Sequence, residues 1–167
     1  MYSRLLASHP RATKAATASC IALLGDGLAQ RQAGEPYCPR RAAAFVLWAA
    51  ATTPLVHHWY LALRGASPLR AALLDQLVWA PPSTAAFLFY TAAAAAPGGA
   101  ALAEGSARVR SRLPAVLATN WGVWGPAQLV NFRFVAPPYQ ILFTNVLGVA
   151  WSGVLSAMAQ PAATPLV

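Results

Sequence analysis

From Leu113 to Val167 the chain runs 55 residues with a single charged side chain, Arg133. A domain that folds in water must spread charge over the surface it shows to solvent. A helix in hydrocarbon needs the opposite, an apolar run of about 20 residues to cross a core of roughly 30 Å. The stretch is long enough for two such crossings. Upstream, charges are again confined to short clusters between long apolar runs. The chain is 57% hydrophobic and 10% charged, against roughly 25% charged for an ordinary soluble domain. With 167 residues it has the length of one domain. These features point to an all-α, multi-span transmembrane helical bundle in which residues 1–167 form a single integral membrane domain.

Five apolar segments can be drawn, at 15–29, 42–63, 71–96, 113–132 and 138–159. Gly34, Pro36 and Pro39 separate the first from the second, and Arg64 to Arg70 connects the second tightly to the third. Pro97-Gly98-Gly99 opens a loop expected to end with Arg108, Arg110 and Arg112. Pro137-Pro138 breaks the fourth segment from the fifth, because a residue before proline is pushed out of the helical region.

The basic residues orient these segments. Net charge is +8, and 11 of the 12 basic residues are Arg. If all five segments cross, Lys and Arg divide 6 against 6 and orient nothing. If the first lies in the interface and four cross, the division is 9 against 3, with Arg64, Arg70 and Arg133 on the minority side. The positive-inside rule favours the second layout: four crossings plus a short N-terminal partial or interfacial helix, both termini on the basic side. Lys14, Asp26 and Gln30 also make the first segment a poor free span. Nucleic-acid binding would need a continuous basic face, and basic residues that flank apolar runs do not make one. The expected partners are the lipid bilayer, small solutes and a second copy of the chain, with no nucleic acid.

Polar residues at membrane depth must face protein or water. Asp26 and Gln30 lie four apart on one helix face, and Asp75-Gln76 opens the third segment. Asn120, Trp124, Gln128 and Asn131 recur at steps of four, four and three, one stripe of the fourth segment. Two readings stand for these eight residues: the polar lining of a solute path, in which Asp26 favours cations, or an interhelical hydrogen-bonded seam, with each carboxylate capping a helix or paired to an Arg such as Arg31 or Arg70. His57, His58, Trp59 and Tyr60 have the composition of an interfacial aromatic belt. Adjacent histidines diverge by about 100° on a helix and do not converge on one ion, and Cys20 and Cys38 make no metal spacing; no metal and no cofactor is expected. Gly148, Ser152 and Ser156 form a small-residue packing face. No nucleophile elbow, phosphate loop or zinc-protease motif is present, and no enzyme activity is expected.

Together these residues resemble the Mpv/PMP family of peroxisomal and mitochondrial inner-membrane proteins. Pro10, Gly25-Asp26 with Gln30, Pro54 with His57, Trp59 and Tyr60, and Asp75-Gln76 with Pro81 carry the resemblance in the first half. Asn120, Trp124, Gln128, Asn131-Phe132, Trp151 and Ser156 carry it in the second. Thr53 departs from the family's usual glycine and Gln140 from a common arginine. The resemblance implies a small protein of an organelle membrane, mitochondrial, peroxisomal or chloroplast, and a weakly selective solute channel contributing to metabolite and redox homeostasis. A non-conducting membrane organiser acting through protein or lipid partners is the alternative. The basic, Ser/Thr-containing N-terminus tilts the address toward the mitochondrion.

Overall fold

A computed structural model describes residues 1–34, 36–96 and 98–159, with side chains described to residue 151. Among them are seven α-helices and no strand: α1 (Tyr2–Ser8), α2 (Pro10–Gln32), α3 (Pro39–Ala62), α4 (Pro68–Leu74), α5 (Ala80–Ala95), α6 (Ala101–Phe134) and α7 (Gln140–Ala159). The all-helical expectation holds. The chain divides into two compact units, Met1–Leu55 with Ile141–Val167, and Val56–Gln140.

Local chemistry explains most boundaries. His9 precedes Pro10 and leaves the helical region (φ −135°, ψ 62°), which separates α1 from α2. Past the end of α2, Gly34 turns the chain at φ +68°, and Gly65 does so after α3 at φ +89°, a conformation that side-chain-bearing residues rarely adopt. The Ser67 hydroxyl oxygen accepts from the Arg70 N–H and caps α4. Pro137 and Pro138 allow only a short 3₁₀ turn before α7.

α6 corrects one expectation. Its first turns take up the segment read as a loop, so Arg108, Arg110 and Arg112 are exposed residues of a 34-residue helix about 51 Å long. Pro114 and Pro126 lie within it. Gly105 shows what holds this end down: a Cβ built there would meet Phe89 Cδ2 at 2.6 Å and Cε2 at 2.7 Å. The missing side chain lets α6 lie against α5. In an isolated helix Gly→Ala gains up to about 1 kcal/mol; here overpacking outweighs it. We expect Gly105→Ala to lower the unfolding midpoint in detergent and Gly105→Leu to lower it further. A rise for both would show that the contact is loose.

Among the described residues no helix is long and apolar enough to cross a membrane. Yet the distribution of side chains is inverted relative to a water-soluble fold. Leu24, Leu28, Leu47, Leu55, Leu77, Leu129, Phe134 and Val146 are exposed, while Lys14, Asp26, Gln30, Thr53, Asp75, Gln76, Gln128, Asn131 and Gln140 are buried. The interior apolar residues are mainly small, with alanine the commonest.

Candidate functional site

Each unit contains one buried polar cluster. In the first unit, Asp26 and Gln30 share a face of α2, and the Gln30 Nε2 donates to Asp26 Oδ2. The Arg41 guanidinium lies 2.9 Å from Asp26 Oδ1, with the carboxylate fully enclosed and the arginine 39% exposed. Gln30 also accepts from the Cys38 N–H and donates to the Cys38 carbonyl. One glutamine therefore holds both backbone polar groups of the residue that leads into α3. Asp26 pairs with Arg41, not with Arg31: a residue five places along a helix is rotated by about 140° from the first, whereas Arg41 returns to this face through the turn. Beside the cluster Gly25 packs on α7, where a Cβ would meet Val149 Cγ2 at 3.2 Å.

The second cluster starts from a defect in a helix. Pro81 and Pro82 have no N–H to donate, and their rings crowd the preceding turn. Between α4 and α5 the backbone widens into a π turn, Asp75–Trp79, in which the Ala80 N–H reaches back five residues to the Asp75 carbonyl. The Gln76 carbonyl thereby loses Ala80, and its next partner in the widened register is Pro81, which has nothing to give. Trp121 of α6 fills the position, its indole Nε1–H donating to the Gln76 carbonyl at 3.0 Å. The proline thus explains the tryptophan. We expect Trp121→Phe to cost about 1–2 kcal/mol, and much less in a Pro81→Ala background, where a backbone N–H returns. A double-mutant cycle of unfolding midpoints checks this; equal costs in both backgrounds would refute the link.

The π turn also aims Asp75 and Gln76 inward. The Asp75 carboxylate, 2% exposed as a residue, accepts from Trp59 Nε1 at 3.0 Å, Gln76 Nε2 at 2.9 Å and Gln128 Nε2 at 2.9 Å. Gln128 Nε2 gives its second proton to Tyr60 Oη at 2.8 Å, and Gln128 Oε1 accepts from Asn131 Nδ2 at 2.9 Å. Trp59 stacks on Trp79, and Tyr60 meets the Phe132 ring edge-on. Trp59 therefore donates to a buried carboxylate and Tyr60 accepts from its Gln128 partner, in place of the interfacial belt expected of them; His58 is exposed and His57 half-buried. No Lys or Arg among the described residues pairs with Asp75, Arg70 included.

The stripe on α6 resolves into two parts. Gln128 and Asn131 enter the cluster, whereas Asn120 and Trp124 are half-buried and contribute no hydrogen bond to it. Two buried oxygens of this cluster's residues, Gln76 Oε1 and Asn131 Oδ1, have no hydrogen-bond partner, nor does Asn145 Nδ2 on α7 of the first unit. Among the described residues no three His, Cys, Asp or Glu side chains gather for a metal. Of the small-residue face, Ser152 and Ser156 lie outside the described side chains. Arg41, Trp121 and Asn145 had not been singled out from the sequence for any of these roles. Only Trp121 carried a signal, an indole donor on the helix that holds Gln128.

Comparison with known proteins agrees with this arrangement of motifs. The model of the Mpv17 / PMP22 family matches residues 98–156. Protein SYM1 of Eremothecium gossypii is 35% identical, over 93% of this chain and 92% of its own. Peroxisomal membrane protein 2 of Bos taurus is 29% identical, over 95% and 88%. Mitochondrial inner membrane protein Mpv17 of Danio rerio is 26% identical, over 93% of each. No solved structure matches the chain. With a relative this similar spanning nearly its full length, the chain belongs to the Mpv17 / PMP22 family.

Proposed function

We propose that this protein is a four-crossing integral protein of an organelle membrane, most simply the mitochondrial inner membrane, and that it serves as a weakly selective conduit for small solutes. The names of its relatives, peroxisomal membrane protein 2 and mitochondrial inner membrane protein Mpv17, support the address. The single observation that carries the conduit is the second cluster. Buried polar atoms are almost always satisfied by protein or ordered water, and here an uncompensated carboxylate sits with amide oxygens left open. Such atoms suit the wall of a hydrated path, with Asp75, Gln76, Gln128 and Asn131 as its polar residues.

The first cluster is closed. Asp26 is neutralised by Arg41, and Gln30 is occupied by Asp26 and Cys38. It serves as the latch between α2 and α3. In liposomes holding solutes graded by size and charge, we expect protein-dependent release with a size cutoff. Asp75→Asn shifts the preference between cations and anions, while Asp26→Asn leaves it unchanged. Folded, inserted protein that released nothing would overturn the conduit.

A second reading, a non-conducting organiser, draws on the near-complete mutual hydrogen bonding of Asp75, Gln128 and Tyr60. It would leave the liposomes sealed and still require the intact cluster for stability.

A further inference from the structure

α6 is longer than a bilayer requires. At about 51 Å it exceeds a hydrocarbon core of roughly 30 Å by about 20 Å, and an ordinary tilt of about 20° takes up only about 2 Å of that. Arg133 lies in its last turn. With that turn at one edge of the core, about 21 residues of helix bring the other edge to Leu113. Arg112, Arg110 and Arg108 then stand about 1.5–7.5 Å beyond that edge, within the depth of the lipid headgroups. The placement rests on the four-crossing reading.

All three arginines are exposed, and among the described residues no carboxylate lies within ion-pair distance of any of them. The neighbouring helix α5 carries no charged residue. The unit Val56–Gln140 has six arginines against two acids, the buried Asp75 and the exposed Glu104. Its positive charge is balanced from outside the protein. Position then separates the three arginines. Arg108 and Arg112 are four residues and about 40° apart on a helix, with Cβ atoms about 6 Å from one another. Gly105, packed on Phe89, marks the direction of α5. Arg108 and Arg112 lie about 60° and 20° to one side of it, and Arg110 about 140° to the other. Two guanidiniums one turn apart can grip one phosphate with charge-assisted hydrogen bonds. Arg110, turned away, does not join them.

We propose that Arg108 and Arg112 form a binding site for the phosphate of an anionic phospholipid, on the basic side of the membrane and beside the α5–α6 seam. Glu104 stands one turn before Arg108 on the same flank. Its carboxylate repels the ligand and lowers the affinity of the pair. The site goes beyond the conduit, because it binds lipid whether or not the protein conducts.

Purified full-length protein in a neutral detergent is titrated with phosphatidylglycerol and, separately, with phosphatidylcholine, and bound lipid is counted by native mass spectrometry. One basic residue near an anionic lipid is worth about fivefold in affinity, so phosphatidylglycerol is expected to bind at least about tenfold tighter. Arg108→Gln and Arg112→Gln are each expected to weaken it by about fivefold. Arg110→Gln, on the far side of the helix and screened by salt, should weaken it by less than about twofold. Glu104→Gln is expected to tighten it. All four substitutions are at exposed positions, and matching unfolding midpoints verify that the variants fold alike. Equal binding of the two lipids overturns the site, as does a loss for Arg110→Gln as large as that for Arg108→Gln, which would reduce binding to net charge. Displacement of the lipid by excess inorganic phosphate would overturn it too, by assigning the pair to a free anion. Detergent holds the protein whatever its topology, so failure here refutes the site and leaves the four crossings to the accessibility of their loops.

Discussion

Gln128→Leu is expected to destabilise the protein by about 3 kcal/mol. The side chain gives protons to Asp75 Oδ2 and Tyr60 Oη and accepts one from Asn131 Nδ2. Leucine nearly matches its volume and removes all three interactions together. Asp75 then keeps only the Trp59 and Gln76 donors, and the buried Asn131 nitrogen loses its acceptor. Orphaned buried groups cost about 1–3 kcal/mol each, partly offset in a membrane protein because the unfolded state also finds partners. Asn120→Leu is the control. It stands on the same helical stripe but is half-buried and outside the cluster, so it should change stability by no more than about 0.5 kcal/mol. Unfolding midpoints of the two variants in one detergent decide the matter, and equal losses would contradict the division of the stripe.

The second large effect belongs to the other unit. Arg41→Met leaves the Asp26 carboxylate enclosed with Gln30 as its remaining donor. Removing one partner of a buried ion pair typically costs 3–5 kcal/mol; Arg41 is partly exposed, so about 2–3 kcal/mol is expected here. Arg41→Lys should recover part of it, since the charge is kept and the planar donor set is lost. Arg31→Met is expected to do little, its side chain being exposed in the last turn of α2. The ordering of the three variants in thermal unfolding is the measurement. A loss for Arg31 as large as that for Arg41 would mean that Asp26 is held differently.

What was legible in the residues, and what was not, follows from the range of each interaction. Helical character, the prolines that bound α4 and α7, and the glycine turns at Gly34 and Gly65 are local effects, and each stands where the sequence reading placed a break or a turn, whereas the break at Pro10 between α1 and α2 was not read. The steps of four and three identified the face of α6 that holds Gln128 and Asn131. Partner choice is not local. Arg41 reaches Asp26 only through the geometry of the α2–α3 turn, and Asp75 finds Gln128 at a separation of 53 residues. The helix over the arginines of α6 was missed because Pro97-Gly98-Gly99 dominated the reading, while the packing that extends the helix, Gly105 on Phe89, is tertiary.

The same distinction bears on the membrane. The inverted surface is plain in the structure, yet the helices carry buried polar residues and none of those described is apolar enough to cross alone. In a bundle such residues are sheltered by their neighbours: Asp75 by α3 and α6, Asp26 by Arg41. On the four-crossing proposal, insertion is expected to be a property of the assembled helices, since segments of modest hydropathy can span when their polar groups turn inward.

Site-directed labelling of cysteines in sealed, oriented membranes tests the four crossings most directly. With Cys20 replaced by Ala and Cys38 by Ser, single cysteines are placed at exposed positions by Tyr37→Cys, Arg64→Cys, Glu104→Cys and Ala136→Cys. Each is challenged with a membrane-impermeant maleimide. The expected result is that the cysteines at 37 and 104 react from one side and those at 64 and 136 from the other. Labelling of all four from a single side would contradict the four-crossing arrangement and the conduit with it.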